Sequence, residues 1–146
     1  WQRLDLYKKA VPHFIVNALL GKDIEVYGDG EQTVDLIHTA DIAKVFHAAL
    51  IAPDVEGQTI EVGSGVETTV NELAKLIIEL CKSKSKIVHL PMRKGETNNT
   101  RLCADTTKMN KLLSVEPEKD HRQRMMETIL FYVKLLKAKL AETGLI

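Results

Sequence analysis

An α/β fold is predicted by three features of this sequence. Short β-branched runs alternate with segments whose apolar residues recur at spacings of three and four. Glycine and proline punctuate most of the boundaries, and no repeat or low-complexity linker divides the chain. The first helix is expected from Ala10 to Leu20, with Val11, Phe14, Ile15, Ala18 and Leu19 on one face. Pro12 suits its first turn and Gly21 its end. Ile24 to Tyr27 reads as a strand and Gly28-Asp29-Gly30 as a hairpin turn leading to a second extended piece, Thr33 to His38.

Asp41 is expected to cap a helix over 42–51 whose apolar face is Ile42, Val45, Phe46, Ala49 and Leu50. Thr59 to Val62 reads as a buried strand. Thr69 with Glu72 three residues later predicts a capping box, and the helix behind it carries Val70, Leu73, Ala74, Ile77, Ile78 and Cys81. Ile87 to Leu90 is a strand stopped by Pro91, and Asp105 caps a short helix through Leu113 that ends before Glu116-Pro117. His121 to Glu142 is the longest helix, with Met125, Ile129, Val133, Leu136 and Leu140 as a core stripe.

Composition narrows the function classes. Of 146 residues, 45% are hydrophobic and 27% charged, as in globular proteins; twenty basic residues balance twenty acidic ones. No net field recruits nucleic acid or a membrane surface, and no apolar run is long enough to cross a bilayer. Cys81 and Cys103 show no CxxC spacing, so reduced thiols in a cytoplasmic protein are expected. The histidines at 13, 38, 47, 89 and 121 form no metal-ligand pair.

Neither glycine pair makes a dinucleotide loop. Gly28-Asp29-Gly30 precedes an extended segment, whereas a phosphate loop draws its amide donors from a helix N-terminus. Gly63-Ser64-Gly65 has Thr68 where a third glycine is needed, and no acid follows at the ribose position.

The order of several soft motifs is more informative. They run Pro12-His13-Phe14-Ile15, Leu20-Gly21-Lys22, Val26-Tyr27-Gly28-Asp29-Gly30-Glu31-Gln32-Thr33, Asp35 and Asp41-Ile42-Ala43. Val62-Gly63-Ser64-Gly65, Asn71-Glu72-Leu73, Arg93-Lys94-Gly95-Glu96, and Asp105 through Leu112-Leu113 to Glu116-Pro117 follow. In this order they resemble the C-terminal half of the NAD-dependent epimerase/dehydratase family, the extended short-chain dehydrogenase/reductases.

That resemblance implies a single substrate-binding-side domain over 1–146. An N-terminal Rossmann portion, absent from this sequence, would hold NAD and a catalytic Tyr-x-x-x-Lys pair. Tyr7, Tyr27 and Tyr132 are followed four residues on by Val11, Glu31 and Leu136, so the pair is not in this sequence. The chain is therefore expected to be catalytically incomplete and to bind no NAD alone, with the N-terminal half and a second copy as its expected partners.

The family's nucleotide-sugar pocket maps onto Glu25, Val26 and Tyr27 along the base, Arg93 at the diphosphate and Glu96 at the ribose. A guanidinium suits a diphosphate because its planar donors reach two oxygens at once. Two positions depart from the family's pattern, Val34 for an arginine and Glu61 for an asparagine, both expected near the phosphates. Losing one charged hydrogen bond costs roughly 1.5–3 kcal/mol. A carboxylate about 4 Å from a phosphate adds repulsion of several kcal/mol at an effective dielectric near 20. Lys94, with Lys8 or Lys9, is the expected compensating charge. The alternative reading is a non-catalytic interaction or self-associating module derived from such an enzyme.

Overall fold

The computed structural model describes residues 9–142. Its elements run α1 (Ala10–Leu19), β1 (Ile24–Tyr27), β2 (Thr33–Asp35), α2 (Thr39–Ile51), β3 (Glu67–Thr69), α3 (Val70–Leu80), β4 (Ile87–Leu90), α4 (Thr107–Leu113) and α5 (His121–Glu142). The α/β expectation holds. β1 pairs parallel with β4, placing Ile24 opposite Ile87 and Tyr27 opposite Leu90. β2 pairs antiparallel with β3, Thr33 opposite Thr69.

The main core follows from the helical spacing. Phe14, Ile15 and Ala18 of α1, Leu73, Ala74 and Ile77 of α3, and Met125, Ile129 and Tyr132 of α5 close over Ile24 and Val26 of β1. Alternation along β1 sends Ile24 and Val26 inward and leaves Glu25 and Tyr27 on the half-buried side. α3 starts at the predicted capping box, with Thr69 Oγ1 accepting from the Glu72 amide and Glu72 Oε2 accepting from the Thr69 amide. Val45 of α2 packs with Met109 and Leu113 of α4 in a smaller second cluster.

Four local expectations fail. The Gly28-Asp29-Gly30 turn exists, with φ of +77° at both glycines, but it joins strands of different sheets and closes no hairpin. A side chain at Gly30 would strike the Asn71 carboxamide, which donates to the Asp29 carbonyl and Glu31 Oε1. Asp41 does not cap α2. His38 Nδ1 does, accepting from the Ala40 amide, while Asp41 is 1% exposed and bound by Arg124 and Lys44. The face of α2 that turns inward carries Asp41 and Val45, and Phe46 and Leu50, expected in the core, are 67% and 84% exposed. Thr59–Val62 forms no strand and joins neither sheet; Glu61 and Thr59 instead meet Asp105 and Lys108 through side-chain hydrogen bonds.

The α5 stripe is core at Met125 and Ile129, joined by Tyr132, which the periodicity did not single out. Asp105 holds the Thr107 amide, one residue ahead of α4's Thr106 cap position. Lys8 and the side chain of Leu140 lie outside the described residues. Among the described residues no helix is long and apolar enough to cross a membrane, and no three potential metal ligands gather.

Asp41 links acid stability to this architecture. Burial alone would raise its carboxyl, but hydrogen bonds from Arg124 and Lys44 outweigh burial and hold it below the ordinary range. A depressed carboxyl stabilises the fold above its unfolded value near 4 and loses that contribution as pH falls through the folded value. Thermal melts of the chain and of Asp41→Asn are expected to differ most at pH 6–7 and to converge below about pH 4. A constant gap at every pH would contradict this.

Candidate functional site

A cavity of about 180 Å³ opens at the half-buried side of β1. α1 contributes Ala10, His13 and Phe14; β1 contributes Glu25 and Tyr27; the following turn contributes Gln32. Val70, at the start of α3, and Arg93 and Glu96, in the loop after β4, complete it. The parallel pairing of β1 with β4 places the two ends together. The Tyr27 ring and the loop that leaves Leu90 emerge on the same side because Tyr27 and Leu90 are register partners.

Within the cavity the Arg93 guanidinium lies over the Tyr27 ring, its carbon 4.0 Å from the ring centroid. Glu96 Oε1 stands 3.7 Å from Arg93 Nη1, and Glu25 Oε2 stands 3.7 Å from His13 Nε2. Gln32 Nε2 donates to the Tyr27 carbonyl at 2.8 Å. The cavity thus offers an aromatic face, a guanidinium at its mouth and two carboxylates, a set able to hold a flat ring linked to an anion and a hydroxyl-bearing group.

Four of the six sequence-predicted residues meet here: Glu25, Tyr27, Arg93 and Glu96. Val26 does not line the cavity with its side chain, which is fully buried in the core, as strand alternation requires. Lys94 is exposed in the turn beside Arg93 and does not line it either. Val34 and Glu61, expected near the phosphates, are also not among the lining residues. Val34 is paired with Thr68 in the β2–β3 ladder, and Glu61 Oε2 accepts from the Asp105 amide. His13 and Gln32 went unremarked as site residues, although both sit in quoted motifs; no local pattern separates a cavity-lining side chain from a surface one.

The second glycine pair is excluded as a phosphate loop by its hydrogen bonds. Asp35 accepts from the Ser64 amide at 2.8 Å, the Ser64 hydroxyl at 2.6 Å, the Gly65 amide at 2.9 Å and the Ala104 amide at 3.1 Å. Burial would raise this carboxyl, but these donors win and depress it. Gly63 is needed for that approach, since a Cβ there would strike Asp35. The amides that a dinucleotide would require are already engaged, and β3 rather than a helix follows. This glycine pair therefore forms no dinucleotide phosphate loop.

Residues 2–63 match the family described as NAD dependent epimerase/dehydratase. The chain is 35% identical to the UDP-N-acetyl-alpha-D-glucosaminuronate decarboxylase of Bacillus cytotoxicus, over 86% of this chain and 40% of that protein. It is 32% identical to a dTDP-glucose 4,6-dehydratase of an Actinoplanes species, over 86% of this chain and 38% of that one. It thus spans about two fifths of the length of the curated relatives it matches. Among solved structures, the UDP-glucose 4-epimerase of Thermotoga maritima with UDP-glucose superposes with a TM-score of 0.83 at 27% identity, over 92% of this chain and 42% of that one. The dTDP-glucose 4,6-dehydratase of Bacillus anthracis in complex with NAD gives 0.72 at 28% identity, over 86% and 39%.

Proposed function

We propose that this chain, a relative of the NAD-dependent epimerase/dehydratase family, supplies the nucleotide-sugar-binding side of an enzyme of that family. The observation that carries the reading is the convergence of Tyr27, Arg93, Glu25 and Glu96, distant in sequence, on one cavity. In this reading the base lies against β1 and the Tyr27 ring, with Val26 contributing backbone only. Arg93 leaves the Tyr27 face to bind the diphosphate, Glu96 accepts from the ribose hydroxyls, and Lys94 supplies charge at the rim. NAD and the proton-transferring tyrosine belong to residues other than those described. Holding the sugar nucleotide in place would let such a partner region act on a positioned ring.

The test is a thermal-shift series of the chain with UDP, dTDP, uridine and inorganic pyrophosphate. A ligand that binds only the folded state raises the melting temperature with concentration. UDP and dTDP are expected to do so more strongly than uridine or pyrophosphate alone. Silence towards all four would contradict the proposal.

A second reading, an interaction or self-associating module, is favoured by the outward face of α2, where Phe46, Leu50 and Ile51 are all exposed. Concentration-dependent sedimentation together with a silent ligand series would favour it.

A further inference from the structure

The loop that carries Arg93 and Glu96 rests on the turn after β1, and one side chain of α3 grips that turn. Asn71, in the first turn of α3, donates from Nδ2 to the Asp29 carbonyl at 2.8 Å and to Glu31 Oε1 at 2.7 Å. Neither a carbonyl nor an ionised carboxylate can donate in return, so the carboxamide has one orientation. Oδ1 then accepts from His89 Nε2 of β4 at 3.0 Å. The turn is thereby tied to α3 and to β4 at once. The same turn meets the loop after β4 at Gly28, whose φ is +77° and where a Cβ would strike both Met92 and Asn98. Met92 precedes Arg93 and Asn98 follows Glu96 by two residues, so this seat brackets both cavity residues.

We propose that Asn71 is a positioning residue of this site: by holding the Gly28–Glu31 turn it seats the loop that aims Arg93 at the cavity. The inference rests on the nucleotide-binding reading and deepens it by tracing the placement of the diphosphate-binding cation to a side chain outside the cavity lining. Two backbone bonds keep the turn attached to α3 without the carboxamide, from the Asn71 amide to the Gly30 carbonyl at 3.0 Å and from the Val70 amide to the Gln32 carbonyl at 3.1 Å. Loss of the carboxamide donors therefore loosens the seat and leaves the turn in the fold.

The experiment compares the wild-type chain with Asn71→Asp, alone and in an Arg93→Ala background, by calorimetric titration with UDP and uridine. The variant keeps the volume and the acceptor for His89 but sets a carboxylate against the Asp29 carbonyl and Glu31. An acid is favoured in the first turn of a helix, so the melting temperature is expected to hold. UDP affinity should fall about tenfold, the scale of one charge-assisted contact weakened, while uridine affinity changes little. With Arg93→Ala already present, Asn71→Asp should change UDP binding by less than about twofold, since residues acting through one another are not additive. An equal loss in both backgrounds overturns the assignment, as does unchanged UDP affinity in Asn71→Asp. If no diphosphate binds the wild type, the nucleotide reading fails, and the ligand-free spectrum decides this inference separately. The Arg93 Nε–H signal, shifted by the Tyr27 ring beneath the guanidinium, should move in Asn71→Asp towards its position in Tyr27→Leu; a signal that stays in place overturns the inference. Where Asn71→Asp fails to fold, Glu31→Ala serves, because Glu31 is exposed and its loss removes one Nδ2 contact. The Arg93 signal should then move in the same direction, and no movement overturns the inference.

Discussion

Arg93→Ala is expected to weaken UDP binding roughly tenfold to a hundredfold while leaving uridine binding nearly unchanged. The guanidinium is the only cation among the cavity's lining residues apart from the titratable His13. A charge-assisted hydrogen bond contributes roughly 1.5–3 kcal/mol, which spans that range of affinity. Its resting place over Tyr27 keeps it beside the cavity mouth, so little ordering accompanies the swing towards a diphosphate. Arg93→Lys should recover part of the loss, since a point charge persists without the two-oxygen fit. Isothermal titration with UDP and with uridine separates the outcomes. An equal loss for both ligands would mean that Arg93 serves the ring and not the phosphates.

Asp35→Ala is expected to be the most destabilising single change, by about 3–5 kcal/mol, or roughly 10 °C in melting temperature. Its carboxylate gathers four donors from two segments far along the chain, one around Ser64 and one at Ala104. Ser64 is 1% exposed, so water cannot freely replace what is lost there. Asn at this position keeps one acceptor but turns an N–H towards other donors, and should recover only part of the stability. Urea unfolding of both variants measures this, and a loss under 1 kcal/mol for the alanine variant would contradict the role assigned to Asp35.

How far the sequence reveals this fold depends on how local each determinant is. The α3 start was legible because Thr69 and Glu72 satisfy each other within one turn. β4 was legible because Pro91 ends a β-branched run. The Gly28-Asp29-Gly30 turn was only half legible: its positive φ is a local demand, but β1's partner lies across the chain at Ile87–Leu90. Asp41 looked like a helix cap because Asp commonly is one, and nothing nearby announces Arg124, 83 positions away. Thr59–Val62 has the composition of a strand, yet a strand is a backbone pairing, and among the described residues it makes none.

The site divides in the same way. Periodicity yields the β1 alternation that turns Tyr27 away from the core, but says nothing of Arg93. The family resemblance brought the two together on paper, and the parallel register of β1 with β4 brings them together in space. Val34 and Glu61 do not line this cavity: Val34 is paired with Thr68, and Glu61 accepts from the Asp105 amide.

The most direct measurement is a titration of ¹⁵N-labelled chain with UDP, followed by backbone amide shifts. The account predicts that the amides of residues 25–32 and 93–96 move together and saturate at one concentration, while those of Phe46–Ile51 stay still. Saturable shifts centred on any other part of the chain, or none at millimolar UDP, would contradict it.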